Sequence, residues 1–185
     1  MASVLTQISP FNISNTTTCP VILKGRDSID YVMKKFKTKS SASIKLRHLV
    51  KIDGTNIDTV DINGAGELPL GIVPDSVDNR KLLASQNAGV WDYDTAFSDG
   101  SLIDVAIPLK ALLVSVVLAA SNAVNIGSRI KGAASGCAAL MATTNVRNAA
   151  GDGTTAITED IAIGKAFSKT TSGTGTQIIA AALFP

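Results

Sequence analysis

The chain has 185 residues, of which 45% are hydrophobic and 17% are charged, and its formal net charge is +2. This composition excludes a largely disordered protein, and the length is sufficient to bury a core without disulfide bonds or metals. The charged fraction lies below the roughly 25% that is typical of globular proteins, so Ala, Gly, Ser and Thr must cover much of the surface. Such a surface favours contact with other protein subunits.

The charges are arranged in blocks of opposite sign. Residues 1–23 carry no charged side chain, residues 24–51 hold nine basic residues against two acidic ones, and residues 52–104 hold ten acidic residues against two basic ones. Two interpretations stay open: the blocks face complementary surfaces of other subunits, or they neutralise each other within the chain. A nucleic-acid-binding module that uses residues 24–51 is a further alternative.

Targeting and metal-binding signals are weak. No secretory signal pattern is found, so we expect synthesis in the cytoplasm of a host cell. The most apolar window, residues 105–120, is interrupted by Pro108 and Lys110 and is shorter than the roughly 20 residues that span a bilayer. Cys19 and Cys137 lack a metal-ligand spacing, and we expect no metal site and no cofactor.

Residues 1–23 are rich in Ser, Thr and Asn and predict an extended N-terminal arm, followed by a single β-rich domain over residues 24–185. A helix is predicted over residues 29–37, because apolar residues recur there at three- and four-residue spacing. The side chains expected to contact a partner are those of the arm and of the basic segment: Phe11, Ile13, Val21, Ile22, Lys34, Lys35 and Lys37.

The rest of the chain predicts short strands separated by turns about every ten residues, an arrangement typical of small β-barrels. Residues 112–118 form a continuous apolar run, which predicts a strand buried on both faces. A short helix is expected within residues 78–86. The other predicted strands are residues 44–52, 57–62, 68–73, 102–107, 154–157, 161–167 and 177–184, with a hairpin arm near Trp91, Tyr93 and Phe97.

An internal repeat is suggested by residues 44–74 and 126–168. In each of these ranges, a basic strand is followed by an Asp-Gly turn and by an apolar strand that contains a glycine, Gly71 in the first and Gly164 in the second. A glycine within a strand indicates a bulge or a close approach of another backbone, as at the bends of a small barrel. Chance similarity between glycine-bearing strands remains the alternative.

Residues for catalysis are hard to assemble from this sequence. His48 is the only histidine and has no cysteine or glutamate near it in the sequence, so we interpret it as a surface or half-buried residue. The acid pairs Asp58 with Asp61 and Asp92 with Asp94 are typical of solvated loop charges. We therefore expect a protein that is not an enzyme and has no catalytic residue.

The second half of the chain resembles the small capsid decoration, or cement, proteins of tailed bacteriophages. The similarity rests on the strand-rich residues 104–118, the segment Ala-Val-Asn-Ile-Gly-Ser-Arg-Ile at 123–130, the segment Ile-Gly-Lys-Ala-Phe at 163–167 and the closing residues 177–184. A weaker similarity to the same proteins is found in the segment Leu-Pro-Leu-Gly-Ile-Val at 68–73.

This resemblance implies a mainly β subunit, a small β-barrel or β-tulip of antiparallel strands with one or two short helices. It also implies a homotrimer on the outer surface of a virion, where it would bind the major capsid protein and stabilise the shell. Another phage structural part, such as a tail-tube or fibre-base protein, is the alternative.

Overall fold

The computed structural model describes residues 21–24, 30–141, 161–170 and 175–185. The fold of these residues is mainly β, as the sequence predicted, and they contain one α-helix, α1 (Val77–Gln86). The strands are β1 (Ile22–Lys24), β2 (Tyr31–Thr38), β3 (Leu49–Asp53), β4 (Asn56–Ile62), β5 (Gly71–Ile72), β6 (Leu102–Pro108), β7 (Leu112–Leu118), β8 (Arg129–Gly132), β9 (Ala138–Leu140), β10 (Ala162–Ala166) and β11 (Gln177–Leu183).

The first barrel is a closed ring of five strands in the order β2-β4-β3-β5-β6. Its longest contact is the antiparallel pairing of β2 with β6, from Tyr31 opposite Pro108 to Lys37 opposite Leu102. The ring closes through a parallel pairing of β2 with β4, which is limited to Lys37 and Thr38 of β2. One edge of β2 is therefore paired over only its last two residues.

The second barrel uses the same plan. Strands β7, β11, β10, β8 and β9 follow one another in one sheet, and an additional parallel pairing of β7 with β9 joins the two ends of that row. The long antiparallel pairing is here between β7 and β11, from Leu112 opposite Leu183 to Leu118 opposite Gln177. The short strand β1 adds to the remaining edge of β7, with Ile22 opposite Val114.

The two barrels match strand for strand and turn for turn. The turns that leave β2 and β7 contain Ser41 and Ser121, whose φ angles are 66° and 63°, and each is followed by a second left-handed position, Arg47 with φ 69° and Gly127 with φ 86°. The same spacing relates the hydrogen bonds: Lys39 N donates to Val60 O in the first barrel, and Ala119 N donates to Ala138 O in the second. The fold thus contains two copies of one topology in tandem.

The glycines of the returning strands lie where a neighbouring backbone approaches closely, as predicted. A Cβ atom on Gly71 of β5 would collide with the carbonyl of Ala106, and one on Gly164 of β10 would collide with the carbonyl of Ala182. The register of β10 against β8 also shifts between Ala162 and Gly164, which marks a bulge. Only a residue without a side chain fits these two positions.

The barrels pack directly against each other. Asn63, which follows β4, is fully buried, and its carbonyl accepts a hydrogen bond of 3.1 Å from Gly136 N. A Cβ on Gly132 of β8 would lie 2.5 Å from the Asn63 side-chain nitrogen, and one on Gly136 would lie 2.9 Å from the Cβ of His48. The apolar residues of both barrels accordingly belong to one continuous core.

The prediction of a helix over residues 29–37 is wrong, because residues 31–37 of this segment lie in strand β2. Strand formation is favoured by the aromatic residues Tyr31 and Phe36 and by the β-branched residues Val32 and Thr38. Strand β6 pairs with seven of the eight residues of β2. The spacing of the apolar residues is compatible with a helix and with a strand, and pairing with a distant strand decides between the two.

Two further boundaries differ from the prediction. Strand β3 begins at Leu49 and not at residue 44, because Arg47 takes a left-handed conformation that ends any extended run. The expected hairpin arm does not form either: residues 87–101 contain no strand, and Tyr93 and Phe97 pack instead into the core. The helix within residues 78–86 and the buried strand over residues 112–118 are confirmed.

The strand predicted over residues 154–157 lies outside the described residues, as do residues 1–20 of the predicted arm. The limits proposed for the domain and for the repeated ranges stay predictions. Within the described residues, no helix has the length and apolar character that crossing a bilayer requires.

Candidate interaction surface

Ion pairs join the basic block to the acidic block within the chain. Lys35 Nζ lies 2.8 Å from Asp78 Oδ2 and 3.0 Å from Asp104 Oδ1, and these two hydrogen bonds raise the pKa of the lysine. The bond from Lys35 in turn lowers the pKa of Asp78. Because the Lys35 side chain is partly exposed, we expect these pairs to contribute little to stability.

The same arrangement recurs at two more lysines. Lys39 Nζ lies 3.1 Å from Asp53 Oδ1 and 2.9 Å from Asp61 Oδ2, and Lys51 Nζ lies 2.6 Å from Glu67 Oε1. Internal neutralisation, one of the two interpretations of the charge pattern, therefore applies to these lysines. It also reduces the positive charge that residues 24–51 can offer to a polyanion.

The residues expected to contact a partner lie in different environments. Phe11 and Ile13 lie outside the described residues, Val21 is fully buried and Ile22 is half-buried. Lys34 is exposed, with Nζ 5.1 Å from the centre of the Phe36 ring. Lys37 is also exposed, whereas Lys35 is held in the ion pairs described above. As partner contacts, all seven stay predictions.

Val21 is buried because Asp75 of the first barrel and β7 of the second both hold it. Its N–H donates to Asp75 Oδ1 at 3.1 Å, and its carbonyl accepts from Ser115 N at 2.7 Å. The other oxygen of Asp75 accepts a hydrogen bond of 3.0 Å from the Tyr93 hydroxyl. Asp75 therefore fixes the start of β1 against both barrels.

His48 lines a cavity of about 540 Å³ between the barrels, together with Arg47, Tyr93 and Cys137. Its Nδ1 accepts a hydrogen bond from Lys45 N at 3.3 Å, and burial followed by the nearby Lys45 charge lowers the pKa of His48 to about 4. Burial raises the pKa of the Cys137 thiol. At neutral pH the cavity thus holds a neutral imidazole and a protonated thiol, an arrangement that favours a packing role for both.

Arg47 contributes to the same wall of the cavity. Its guanidinium carbon lies 3.6 Å from the centre of the Tyr93 ring, a stacking distance, and its backbone N–H donates to Val73 O at 2.8 Å. The backbone of Arg47 is left-handed, and on the far side of the ring the Tyr93 hydroxyl donates a hydrogen bond to Asp75. This cluster connects the inter-barrel cavity with the anchor of β1.

A second depression, the apolar groove, lies where β5 and β6 of the first barrel meet β10 and β11 of the second. It has a volume of about 200 Å³, and all of its lining residues are apolar or glycine. Of the lining residues, Phe184 is 40% exposed, and Leu68 and Leu109, which are the sequence neighbours of the lining residues Pro69 and Pro108, are 58% and 52% exposed. The lining residues are Pro69, Leu70, Gly71, Ile107, Pro108, Ile163, Leu183, Phe184 and Pro185.

Comparisons with known proteins give a likeness to solved structures. No known protein-family model matches the chain, and no curated protein matches it. Among solved structures, the chain is similar to the head fibre gp8.5 N base of bacteriophage phi29, with a TM-score of 0.47 and 13% sequence identity. The alignment covers 82% of this chain and 94% of that one.

Sequence reasoning did not find the apolar groove. Its residues come from segments more than fifty positions apart, such as Ile107 and Ile163, and they meet only because the two barrels pack side by side. The one local signal is the repeated proline at Pro69, Pro108 and Pro185, each of which ends or flanks a strand. Prolines at strand ends are too common to indicate a binding surface.

Proposed function

We propose that this chain is a non-catalytic structural protein of a bacteriophage virion that binds the outer surface of the capsid and stabilises it. The observation that carries the proposal is the apolar groove, whose lining residue Phe184 is 40% exposed, with the exposed residues Leu68 and Leu109 next to two of its prolines in the sequence. Apolar side chains gathered around a groove are typical of surfaces that bind another protein. The resemblance of residues 104–184 to capsid decoration proteins supports the same function.

The partner in this proposal is the major capsid protein. The low charge of the surface suits contact with a protein, and many weak contacts repeated over a symmetric shell sum to strong attachment. A homotrimer, with copies related by closed symmetry, is the proposed assembly. The three paired lysines argue against nucleic acid as the main partner, because their charge is already compensated within the chain.

The test mixes the purified protein with empty capsids of the phage whose genome encodes it, followed by sedimentation and electron microscopy. We expect bound protein on the outer surface and capsids that withstand heating better than bare ones. Rings or extended fibres without attachment to capsids would favour the fibre-base or tail-tube alternative, and absence of any binding would contradict the proposal.

A matched pair of variants locates the contact. Phe184→Asp places a charge in the lining of the apolar groove, whereas Ile57→Asp places the same charge at an exposed apolar residue of β4, 78% exposed and absent from the groove lining. We expect the first variant to weaken capsid binding at least tenfold and the second to leave it unchanged. Equal binding by both variants would exclude the groove as the contact surface.

A further inference from the structure

One edge of the first barrel lacks a strand that the second barrel has. Hydrogen-bond directions alternate along β2: Thr38 N donates to Ser101 O beside β6, and Lys39 N donates to Val60 O on β4. By this alternation, the N–H groups of Met33 and Lys35 point away from β6. Among the described residues, no strand pairs with that edge of β2 before Lys37.

In the second barrel, the equivalent edge of β7 is occupied. Leu113 and Ser115 correspond to Met33 and Lys35, at the spacing that also relates the two turn serines. Leu113 lies opposite Lys24 of β1, and Ser115 N donates to Val21 O at 2.7 Å. The equivalent edge thus carries an added strand in the second barrel. In the first barrel, no described strand pairs with it.

The exposed fractions of equivalent side chains in β2 and β7 differ in the same way. Leu112 and Val114 of β7 are fully buried, whereas Val32 of β2, the counterpart of Leu112, is 44% exposed and Met33 is 40% exposed. Val32 lies opposite Ile107, so its side chain faces the side of the ladder that carries the core residues Ile103 and Val105. An apolar residue on the inner face of a barrel is thus exposed at an edge that no described strand covers.

We propose that this open edge of β2 binds residues 11–17 of a second copy of the chain as an added strand. The segment is uncharged, and Phe11 and Ile13 alternate with polar residues, as in a strand with one apolar face. Pairing two β2 edges with each other would instead bring Lys34, Lys35 and Lys37 of both copies together, which is unfavourable.

We assign the donor to a second copy because Val32 and Met33 remain exposed beside the described strands of their own chain. Residues 18–20 link the donor segment to the anchored Val21, and this link spans roughly 13 Å when extended, so the acceptor edge of the second copy lies close beside β1 of the donor. Each copy then offers one donor segment and one acceptor edge. Such a head-to-tail contact closes into a ring when the rotation between copies permits it. This inference does not depend on the proposed function.

Disulfide trapping between differently substituted chains tests the contact. In a Cys19→Ser background, one chain carries Met33→Cys and a second, of distinguishable mass, carries a cysteine at Asn12, Ser14 or Thr16, on the polar face of the segment. Cys137 stays in place because it is buried and its thiol pKa is raised. We expect mixed disulfide dimers to form faster than either homodimer. The rate of mixed-dimer formation should be higher at one of the three positions than at the other two.

The contact is overturned if mixed dimers form no faster than homodimers at all three positions. It is also overturned if a chain that carries both cysteines closes the bond only within itself at every dilution, since the donor would then be the same copy.

Sedimentation of the full-length chain provides a second test. Lys35→Pro removes the N–H that points from the open edge, whereas Lys35→Thr removes the same ion pairs but keeps that N–H. In the same way, Phe11→Asp with Ile13→Asp is matched by Asn12→Asp with Ser14→Asp, which adds equal charge to the other face. We expect the first member of each pair to associate at least tenfold more weakly, and equal association within both pairs would refute strand addition.

Discussion

Val32 and Leu112 occupy equivalent positions in the two barrels, yet Val32 is 44% exposed and Leu112 is fully buried. Both follow the start of the long strand of their barrel, and both lie in an antiparallel ladder, opposite Ile107 and Leu183. The difference coincides with β1, which pairs with the edge of β7 and has no counterpart on β2 among the described residues. A single short strand therefore distinguishes the second barrel, in which the edge of β7 is paired, from the first barrel, in which the edge of β2 is open.

The glycines at the bends of the barrels are expected to be sensitive to the smallest substitution. Gly164→Ala should lower the free energy of unfolding by about 2–4 kcal/mol, because its Cβ meets the carbonyl of Ala182 and backbone cannot easily move aside. Gly71→Ala should behave similarly against Ala106. Gly54→Ala is the control, since its Cβ would meet nothing within 4 Å.

Urea unfolding followed by circular dichroism measures these differences. Equal stability of Gly164→Ala and Gly54→Ala would show that the close backbone approach in β10 does not limit the fold.

His48 is expected to make the protein less stable as the pH falls from about 6.5 to about 4. Its folded pKa of about 4 lies below the ordinary value of 6.5, so the unfolded chain binds a proton in this interval and the folded chain does not. The loss should reach on the order of 2–3 kcal/mol at pH 4 and then stop. Above pH 6.5 the residue contributes no pH dependence.

The measurement compares the unfolding free energy of the parent and of His48→Gln at several pH values. Because carboxylates such as Asp53 and Glu67 titrate in both proteins, the difference between the two curves isolates the histidine. A constant difference from pH 7 to pH 4 would contradict a lowered pKa.

Asp75 is expected to hold β1 in place. Asp75→Ala removes the acceptors of Val21 N and of the Tyr93 hydroxyl, and should cost about 1–3 kcal/mol of stability. Hydrogen exchange at the Val21 amide should speed up more than exchange in β4 of the first barrel. The exposed Asp58 provides the control Asp58→Ala, for which neither change is expected.

Asn79 is expected to be intolerant even of a near-isosteric change. It is 1% exposed, and its Nδ2 donates to Pro74 O at 2.8 Å and to Asp104 O at 3.0 Å, while its Oδ1 accepts from Asp104 N at 2.8 Å. Asn79→Asp replaces the two donors with an acceptor that faces carbonyls, so we expect a loss of about 2–4 kcal/mol in thermal or urea unfolding.

Asn56→Asp is the matched substitution for that experiment. The Asn56 Oδ1 accepts a hydrogen bond from Asp58 N in an exposed turn, and a carboxylate can do the same. Similar stability of the two variants would mean that the buried amide of Asn79 does not support the junction of α1 with β6.

Local patterns in the amino-acid sequence were enough for several features. The run of apolar residues at 112–118 has no polar face, so it predicted a buried strand. Gly71 and Gly164 predicted close backbone contacts, because few other roles require a glycine within a strand. The frequent turns likewise indicated a mainly β fold. These properties follow from side-chain size and polarity over a few neighbouring positions.

Tertiary structure alone decided the rest. Residues 31–38 carry a spacing that suits a helix, and they became a strand because β6 lies alongside. The pairing of Lys35 with Asp78 and Asp104, the burial of Val21 on Asp75, and the apolar groove all join residues that are far apart in the chain. Such contacts depend on how the two barrels close and pack, and pairing energies between distant segments leave no local pattern to read.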